Sequence, residues 1–473
     1  MKKRVLHLLA LLILLTASND LNPVVYASQE NKLLNNSNLI TISEGGRTSY
    51  YDGNMLQTDD YLMMITPLED GAVEIESFYL YDTESKGQYT LAIPATLYGH
   101  TISSFGDKAF HCAAFTSIII PETVMSIGER AFEDCRNLTS IVIPEGVASI
   151  NDGTFYGCER LTSIVIPDTV SSIGDDVFRN CESLETVRIP NSVSHIGKNA
   201  FCGCKNLESI RIPNGVKSIS EQTFAWCESL ESVVIPETVV AIDQEAFYRC
   251  KALASVQLPK SLELIGDSAF SECEELTSIT IPAHVTSIGS RAFECCNISY
   301  VKIPESVVSI GDSAFYSCDL RSVAIPNSVL SVGANPFVLC TGLKRIIVSS
   351  DHSVFEIIDG ALFDRANKKL ICYPSALYSA NYTVPDGTQE VGDAAFMGCT
   401  SLESITIPDG VVSLGWHAFS WNHNLRSVKI PDSVISIGDY AFYECPNLTA
   451  IVNHGSYASQ YCAEQGIPFR YLD

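Results

Sequence analysis

The chain has 473 residues, 46% of them hydrophobic and 18% charged, with 55 acidic against 30 basic side chains, 17 cysteines and 29 glycines. That composition excludes a disordered chain, collagen and a polytopic membrane protein. Single cores stop growing beyond roughly 250 to 300 residues, so this length implies either several domains or a repeat array.

At the N-terminus Lys2, Lys3 and Arg4 precede an apolar run from Val5 to Leu15, and Val25-Tyr26-Ala27 offers a cleavage site. Residues 1–27 read as a secretory signal peptide. A membrane anchor is the alternative, but it needs an apolar run of about 20 residues, and Asn19, Asp20 and Asn22 close this one. Losing three positive charges and Asp20 moves the net charge from −25 to −27. So acidic a surface argues against nucleic acid and anionic membranes as partners. No other stretch approaches a membrane span, so the expected location is secreted or cell surface.

Residues 28–57, rich in asparagine, read as a flexible lead-in. Residues 58–90 read as an N-terminal cap, in which alternation such as Ala72-Val73-Glu74-Ile75-Glu76 suggests strands. A repeat array follows over 91–348. Cysteines 135, 158, 181, 204, 227, 250, 273 and 296 fall at a constant interval of 23, and a phenylalanine recurs in fourteen copies from Phe110 to Phe442. A period of this size denotes a solenoid.

Each repeat position has a physical reading. In Ser140-Ile141-Val142-Ile143 the alternation is that of a short strand, with the isoleucines inward and Ser140 and Val142 outward. Pro144 stops it, and Asp168-Thr169 or Asn191-Ser192 in other coils turns the corner through side-chain hydrogen bonds. A second strand ends at Ile173. Gly174 follows, replaced elsewhere by Asn151, Ser220 and Asp243, which suggests a left-handed backbone. Asp175 to Phe178 then reads as one helical turn that places the ring in the core. The cysteine behaves as a small buried residue. One coil cannot bury this surface alone, so neighbours must stack at about 4.8 Å.

The unit Leu-x-Ser-Ile-x-Ile-Pro-x-x-Val-x-Ser-Ile-Gly-x-x-Ala-Phe-x-x-Cys resembles the leucine-rich repeats of BspA-like surface proteins over about residues 58–473. The resemblance implies a repeat solenoid, mainly β with short helical turns, of about 14 to 15 coils with both ends capped. It also implies export and adhesion to host matrix proteins, host cells or other microbes.

Between Pro326 and Pro385 the interval stretches to 59, which leaves 36 residues beyond one period. Residues 349–383 are therefore an irregular insert, with Asp359-Gly360 between apolar runs as a hairpin signal. The array continues over 384–452. Residues 453–473, with a helix from Ser456 to Gln465, close the last coil as a C-terminal cap.

The sequence carries no catalytic, cofactor or metal motif: neither His-Glu-x-x-His, nor Gly-x-Ser-x-Gly, nor a phosphate-cradling loop, nor a paired Cys-x-x-Cys. Cys202-Gly203-Cys204 near His195 offers only three ligands, and Cys204 is a repeat position. Stacked cysteines would be close enough for disulfides, but parallel side chains in a packed core favour free thiols. Cys372 and Cys462, outside the series, are the expected reactive ones.

The outward position between the two isoleucines is the natural reader of a ligand. Its residues include Val142, Val165, Arg188, Arg211 and Lys302, an apolar stripe meeting arginines, as interfaces favour. Aliphatic residues also merely suit a strand there. Trp226 and Trp421, two residues after the repeat phenylalanine, are secondary candidates on another face. The expected partner is an extracellular or cell-surface macromolecule, most naturally a protein. The competing readings are a secreted enzyme using the 349–383 insert and a passive surface-layer spacer.

Overall fold

The computed structural model describes residues 39–41, 50–51, 55–57, 61–80, 89–377 and 379–472. The signal peptide expected over residues 1–27 lies outside them. Alternation of Ile and polar residues makes three-residue strands whose middle side chain is buried and whose flanks are exposed, as in Ser140–Val142 and Ser163–Val165. Consecutive coils pair in parallel one repeat apart, so Ser140 faces Ser163, Ile141 faces Ile164 and Val142 faces Val165. This first ladder joins Leu39–Thr41, Thr90–Ala92 and Ser117–Ile119 to Ser140–Val142 and runs on to Ser232–Val234. A second ladder stacks the short strands that precede the corner glycine, for example Ser218–Ile219 through Ser331–Val332. The result is a β-solenoid of about 17 turns with almost no helix.

The repeat phenylalanines form one column down the centre. Phe132 and Phe155 stack at 5.4 Å, and the series continues through Phe224 and Phe247 at 5.4 Å to Phe315 and Phe337 at 5.9 Å. All are buried. The column is interrupted at the insert, where Tyr373 takes the phenylalanine's place against Phe396 at 5.2 Å and its N–H donates to Ala395, and it resumes through Phe419 and Phe442.

The segment after the corner differs from the helical turn expected. Ala131 N–H donates to Gly128 O, Glu133 to Arg130 O and Cys135 to Phe132 O, while the alternate amides of Arg130, Phe132 and Asp134 donate to Asp152, Thr154 and Tyr156 of the next coil. A helix would aim all its amides along its own axis. Here every second one joins neighbouring coils, so the segment is a run of tight turns with left-handed residues at Arg130 and Asp134.

The corner glycine is likewise corrected. Gly128, Gly174 and Gly197 are not left-handed; the left-handed positions come two and six residues later, at Asp176 and Asn180 after Gly174. The glycine is needed for close approach. A Cβ on Gly197 would stand 2.4 Å from the carbonyl carbon of Gly174 and 2.5 Å from the amide nitrogen of Asp175. Gly174 N–H donates to Ile150 O, and Gly197 N–H to Ile173 O. Where Asn151 and Ser220 replace glycine, their side chains donate instead to Ile127 O and Ile196 O. At those two places the second ladder is interrupted. Gly197→Ala is therefore expected to cost about 1–3 kcal/mol, read as a lower denaturation midpoint; an unchanged midpoint would mean that the coils part freely.

The thiols also form a ladder. Cys158 Sγ donates to Phe132 O at 3.2 Å, Cys181 to Phe155 O at 3.2 Å and Cys227 to Phe201 O at 3.2 Å. Asn422, the exception to the cysteine series, makes the same bond through Nδ2 to Phe396 O at 2.8 Å. The position needs a buried donor, not only a small apolar group. The Ser or Thr after the proline does not bond within its own corner but reaches back one coil, as Thr169 does to Val147 O and Ser192 to Val170 O.

The expected hairpin is present: Phe355–Ile358 pairs antiparallel with Ala361–Asp364 across Asp359-Gly360, and Lys369–Cys372 adds a third strand. At the N-terminal end Tyr61–Pro67 and Val73–Leu80 form an antiparallel pair. Leu39–Thr41, Tyr50–Tyr51 and Met55–Gln57 are strands inside the segment expected to be a flexible lead-in. Leu39–Thr41 adds to the free edge of Thr90–Ala92, which an open parallel sheet invites. At the other end the helix Tyr457–Gln465 starts on Ser456, whose side chain accepts from Ser459 N–H, and stops at left-handed Gly466.

Candidate functional site

The outward position between two inward aliphatics projects one side chain per coil from the first ladder. Val142 and Val165 are opposite each other in the ladder, and Arg211 is opposite Val234. The three valines are about half exposed, at 51%, 53% and 50%. Arg188 stands between them in chain order, just past the short strand Thr186–Val187, with Nη2 3.5 Å from Asp168 Oδ1. That pair is exposed at both ends, so it holds the guanidinium weakly and leaves it available. The coils holding Val142, Val165, Arg188 and Arg211 thus lie in one unbroken sheet.

Lys302 is placed differently. It is exposed, but its coil carries no strand in the first ladder, and Gln257 and Thr280 separate it in sequence order from Val234. It belongs to a stretch where only the second ladder is continuous. Sequence reasoning did not include Ile347, which is 40% exposed on Arg345–Val348 and continues the outward position after Ala324.

The cysteines expected to react are buried: Cys372 and Cys462. Burial raises both thiols, Cys462 to about 11. The exposed cysteine is Cys112, which sits one residue early in its coil and so takes an outward left-handed position in place of the core rung. Its Sγ lies 3.2 Å from His111 Nε2, and His111 Nδ1 lies 3.3 Å from Glu133 Oε2. With Asp134 these offer three ligand atoms within 4.8 Å of one another. Burial and the Asp134 carboxylate raise the Cys112 thiol and oppose a thiolate at neutral pH, with Arg136, which bonds Asp134, acting weakly the other way. Cys202 and Cys204 are buried and His195 is exposed.

A cleft of about 380 Å³ lies where the array meets the insert, lined by Asp312, Asn335, Asp364, Asn367, Lys369 and Asp393 among others. Its carboxylates already serve the backbone. Asp312 accepts from Ala334 N–H, Asp364 from Asn367 N–H, and Asp393 from Trp416 N–H. These bonds hold turns and neighbouring coils together, which is a structural use of the acidic groups.

Among the described residues no helix is long and apolar enough to cross a membrane. The sequence matches the family model described as BspA type leucine rich repeat region over residues 103–231, 217–344, 263–384 and 372–462. Among curated proteins nothing matches. Of solved structures, a leucine-rich repeat protein from Bacteroides ovatus is 29% identical, with a TM-score of 0.58, covering 89% of this chain and 100% of its own. A leucine-rich repeat protein of T. pallidum is 27% identical at a TM-score of 0.36, covering 45% and 87%. A leucine rich cell surface protein from Faecalibacterium prausnitzii is 23% identical at a TM-score of 0.33, covering 91% and 96%.

Proposed function

We propose, from the premise that this chain belongs to the family of BspA-type leucine-rich repeat proteins, that it is an exported recognition protein. It binds an extracellular or cell-surface protein along its first ladder, in the manner of an adhesin. The observation that carries this reading is the row of half-exposed valines beside the two arginines on one continuous sheet. Aliphatic side chains left in water gain by being covered, at roughly 25 cal/mol per Å² of apolar surface. Arg188 and Arg211 supply directional donors at the same place, on a surface whose overall charge is strongly acidic.

The chemistry of the rest of the molecule favours recognition over turnover. A solenoid that repeats one coil presents a long surface and few convergent groups. The cleft beside the insert has its carboxylates committed to backbone bonds. Attachment to a surface and adhesion itself are parts of this proposal.

The test is direct. Purified protein is exposed to extracellular-matrix and cell-surface extracts, the captured protein is identified, and the Arg188→Glu, Arg211→Glu double variant is compared. The expected result is a loss of about tenfold or more in affinity with an unchanged thermal melt, because both side chains are exposed. Unchanged affinity for the same partner would contradict the site.

A further inference from the structure

A second exposed feature lies on the turn face, away from the valine and arginine row, and the molecule holds a finished version of it elsewhere. In one pair of coils Trp226 and Tyr248 meet edge to face at 5.7 Å and 86°. The Arg249 guanidinium lies 4.2 Å from the Trp226 ring centroid and 5.6 Å from that of Tyr248. Glu272 of the following coil closes it, 2.6 Å from Arg249 Nε and accepting from the Tyr248 hydroxyl at 2.8 Å. A guanidinium over an indole, held by a carboxylate, is a favourable arrangement.

The same positions near the C-terminal end carry Trp421, Tyr443 and Glu444. Trp421 follows its repeat phenylalanine by two residues, as Trp226 does, and Tyr443 follows by one, as Tyr248 does. The backbone is the same too: Trp226 N–H donates to Tyr248 O, and Trp421 N–H to Tyr443 O. The rings meet at 6.1 Å and 71°. Where Arg249 stands in the first pair, Glu444 stands in the second, so the neighbouring coil offers a carboxylate-bearing residue at the position from which Arg249 covers Trp226.

The surroundings enlarge the aromatic surface. Glu221, Gln222 and Glu245 of the first pair become Trp416, His417 and Tyr440 in the second. Trp416, Trp421, Tyr440 and Tyr443 are 51%, 41%, 60% and 46% exposed. Tyr440 and Tyr443 stand at 87° and 5.8 Å, and His417 stacks on Tyr440 at 5.2 Å. Partial burial lowers the His417 pKa, which keeps its ring neutral and leaves the cluster without that positive charge. His423 approaches Trp421 edge-on at 6.0 Å.

We infer that the Trp421, Tyr443 and Glu444 cluster is a docking site for an arginine side chain of a protein partner, which completes from outside the arrangement that Arg249 completes from within. Trp416 and Tyr440 widen the contact around the guanidinium. This site is independent of the valine and arginine row and stands or falls separately.

The experiment uses the full chain labelled with ¹⁵N-tryptophan, whose three indole signals are assigned by single Trp→Phe variants. The probe is N-acetyl-arginine amide. The Trp421 signal is expected to move and to saturate, with N-acetyl-lysine amide about fivefold weaker, while the Trp226 signal stays in place because Arg249 already covers it. Glu444→Arg copies the first pair and is expected to abolish the Trp421 response. Arg249→Ala is expected to give Trp226 a response of its own. A Trp421 signal that does not move, one that moves equally in Glu444→Arg, or one that answers to choline or a neutral oligosaccharide in preference to arginine would overturn the assignment.

Discussion

Raising the pH above about 9 under reducing conditions is expected to unfold the whole array in one cooperative step. The rung thiols of Cys158, Cys181, Cys204, Cys227, Cys250 and Cys273 are fully buried, and burial pushes each of them above the ordinary value near 9 because a thiolate cannot be solvated there. Cys340 is raised to about 12 by the same cause. Unfolded thiols release protons through pH 9 while the folded ones keep theirs, so above that pH the unfolded state binds fewer protons and stability falls. Each thiol contributes about 1.4 kcal/mol per pH unit in this window, and native proteins are stable by only about 5–15 kcal/mol. The stabilising effect is fully present below pH 9 and is lost on approach to the raised values. Circular dichroism and thiolate absorbance followed together should change in step between pH 9 and about 11. Thiols that titrate near 9 while the β-signal persists would show that the rungs are not buried donors.

The second large effect is expected from Phe224→Ala. Phe224 is fully buried, stacked between Phe201 at 5.5 Å and Phe247 at 5.4 Å, and its N–H donates to Ala246 O of the next coil. Removing the ring leaves a void in a coil that the first ladder ties to both neighbours and the second ladder ties to the following one, so the site cannot collapse easily. The expected cost is about 3–5 kcal/mol. Because each coil touches only the next, the loss should uncouple the two halves and broaden the unfolding transition. A cost below about 1 kcal/mol would contradict a central column at this register.

Much of this fold was legible because it repeats. The 23-residue interval, the inward isoleucines and the phenylalanine column each recur often enough for substitution to reveal the constraint. Where the reading failed, one pattern admitted two causes. Asn151 and Asp243 at the glycine position suggested a left-handed backbone, yet the structure uses the glycine for close approach of coils and places left-handed residues at Asp176 and Asn180. Inter-coil bonds impose that geometry on whichever residue occupies the position, so composition there carries no signal. Asn422 did carry one: a carboxamide replacing a thiol in a core marks a donor, and the bond to Phe396 O shows what it serves.

The recognition row was legible as a pattern of outward residues, but its continuity was not. Val142, Val165 and Arg211 share a ladder that ends at Ser232–Val234, while Lys302 carries the same sequence signature where the ladder is absent. Three-residue strands depend on backbone alignment that differs by fractions of a bond between coils, and side-chain pattern does not record it. The cluster at Trp421 and Tyr443 was half visible. Trp226 and Trp421 stood out together as one repeat position, but the ring contacts around each and the guanidinium over Trp226 emerge only in the structure.

The most direct test of the account is a hydrogen-exchange footprint of the protein bound to the partner captured from a cell-surface extract. Protection is expected over residues 140–142, 163–165, 186–188 and 209–211, with little change around Lys302. Protection confined to the insert over 349–383, with the valine and arginine row unaffected, would contradict the claim that the first ladder is the recognition surface.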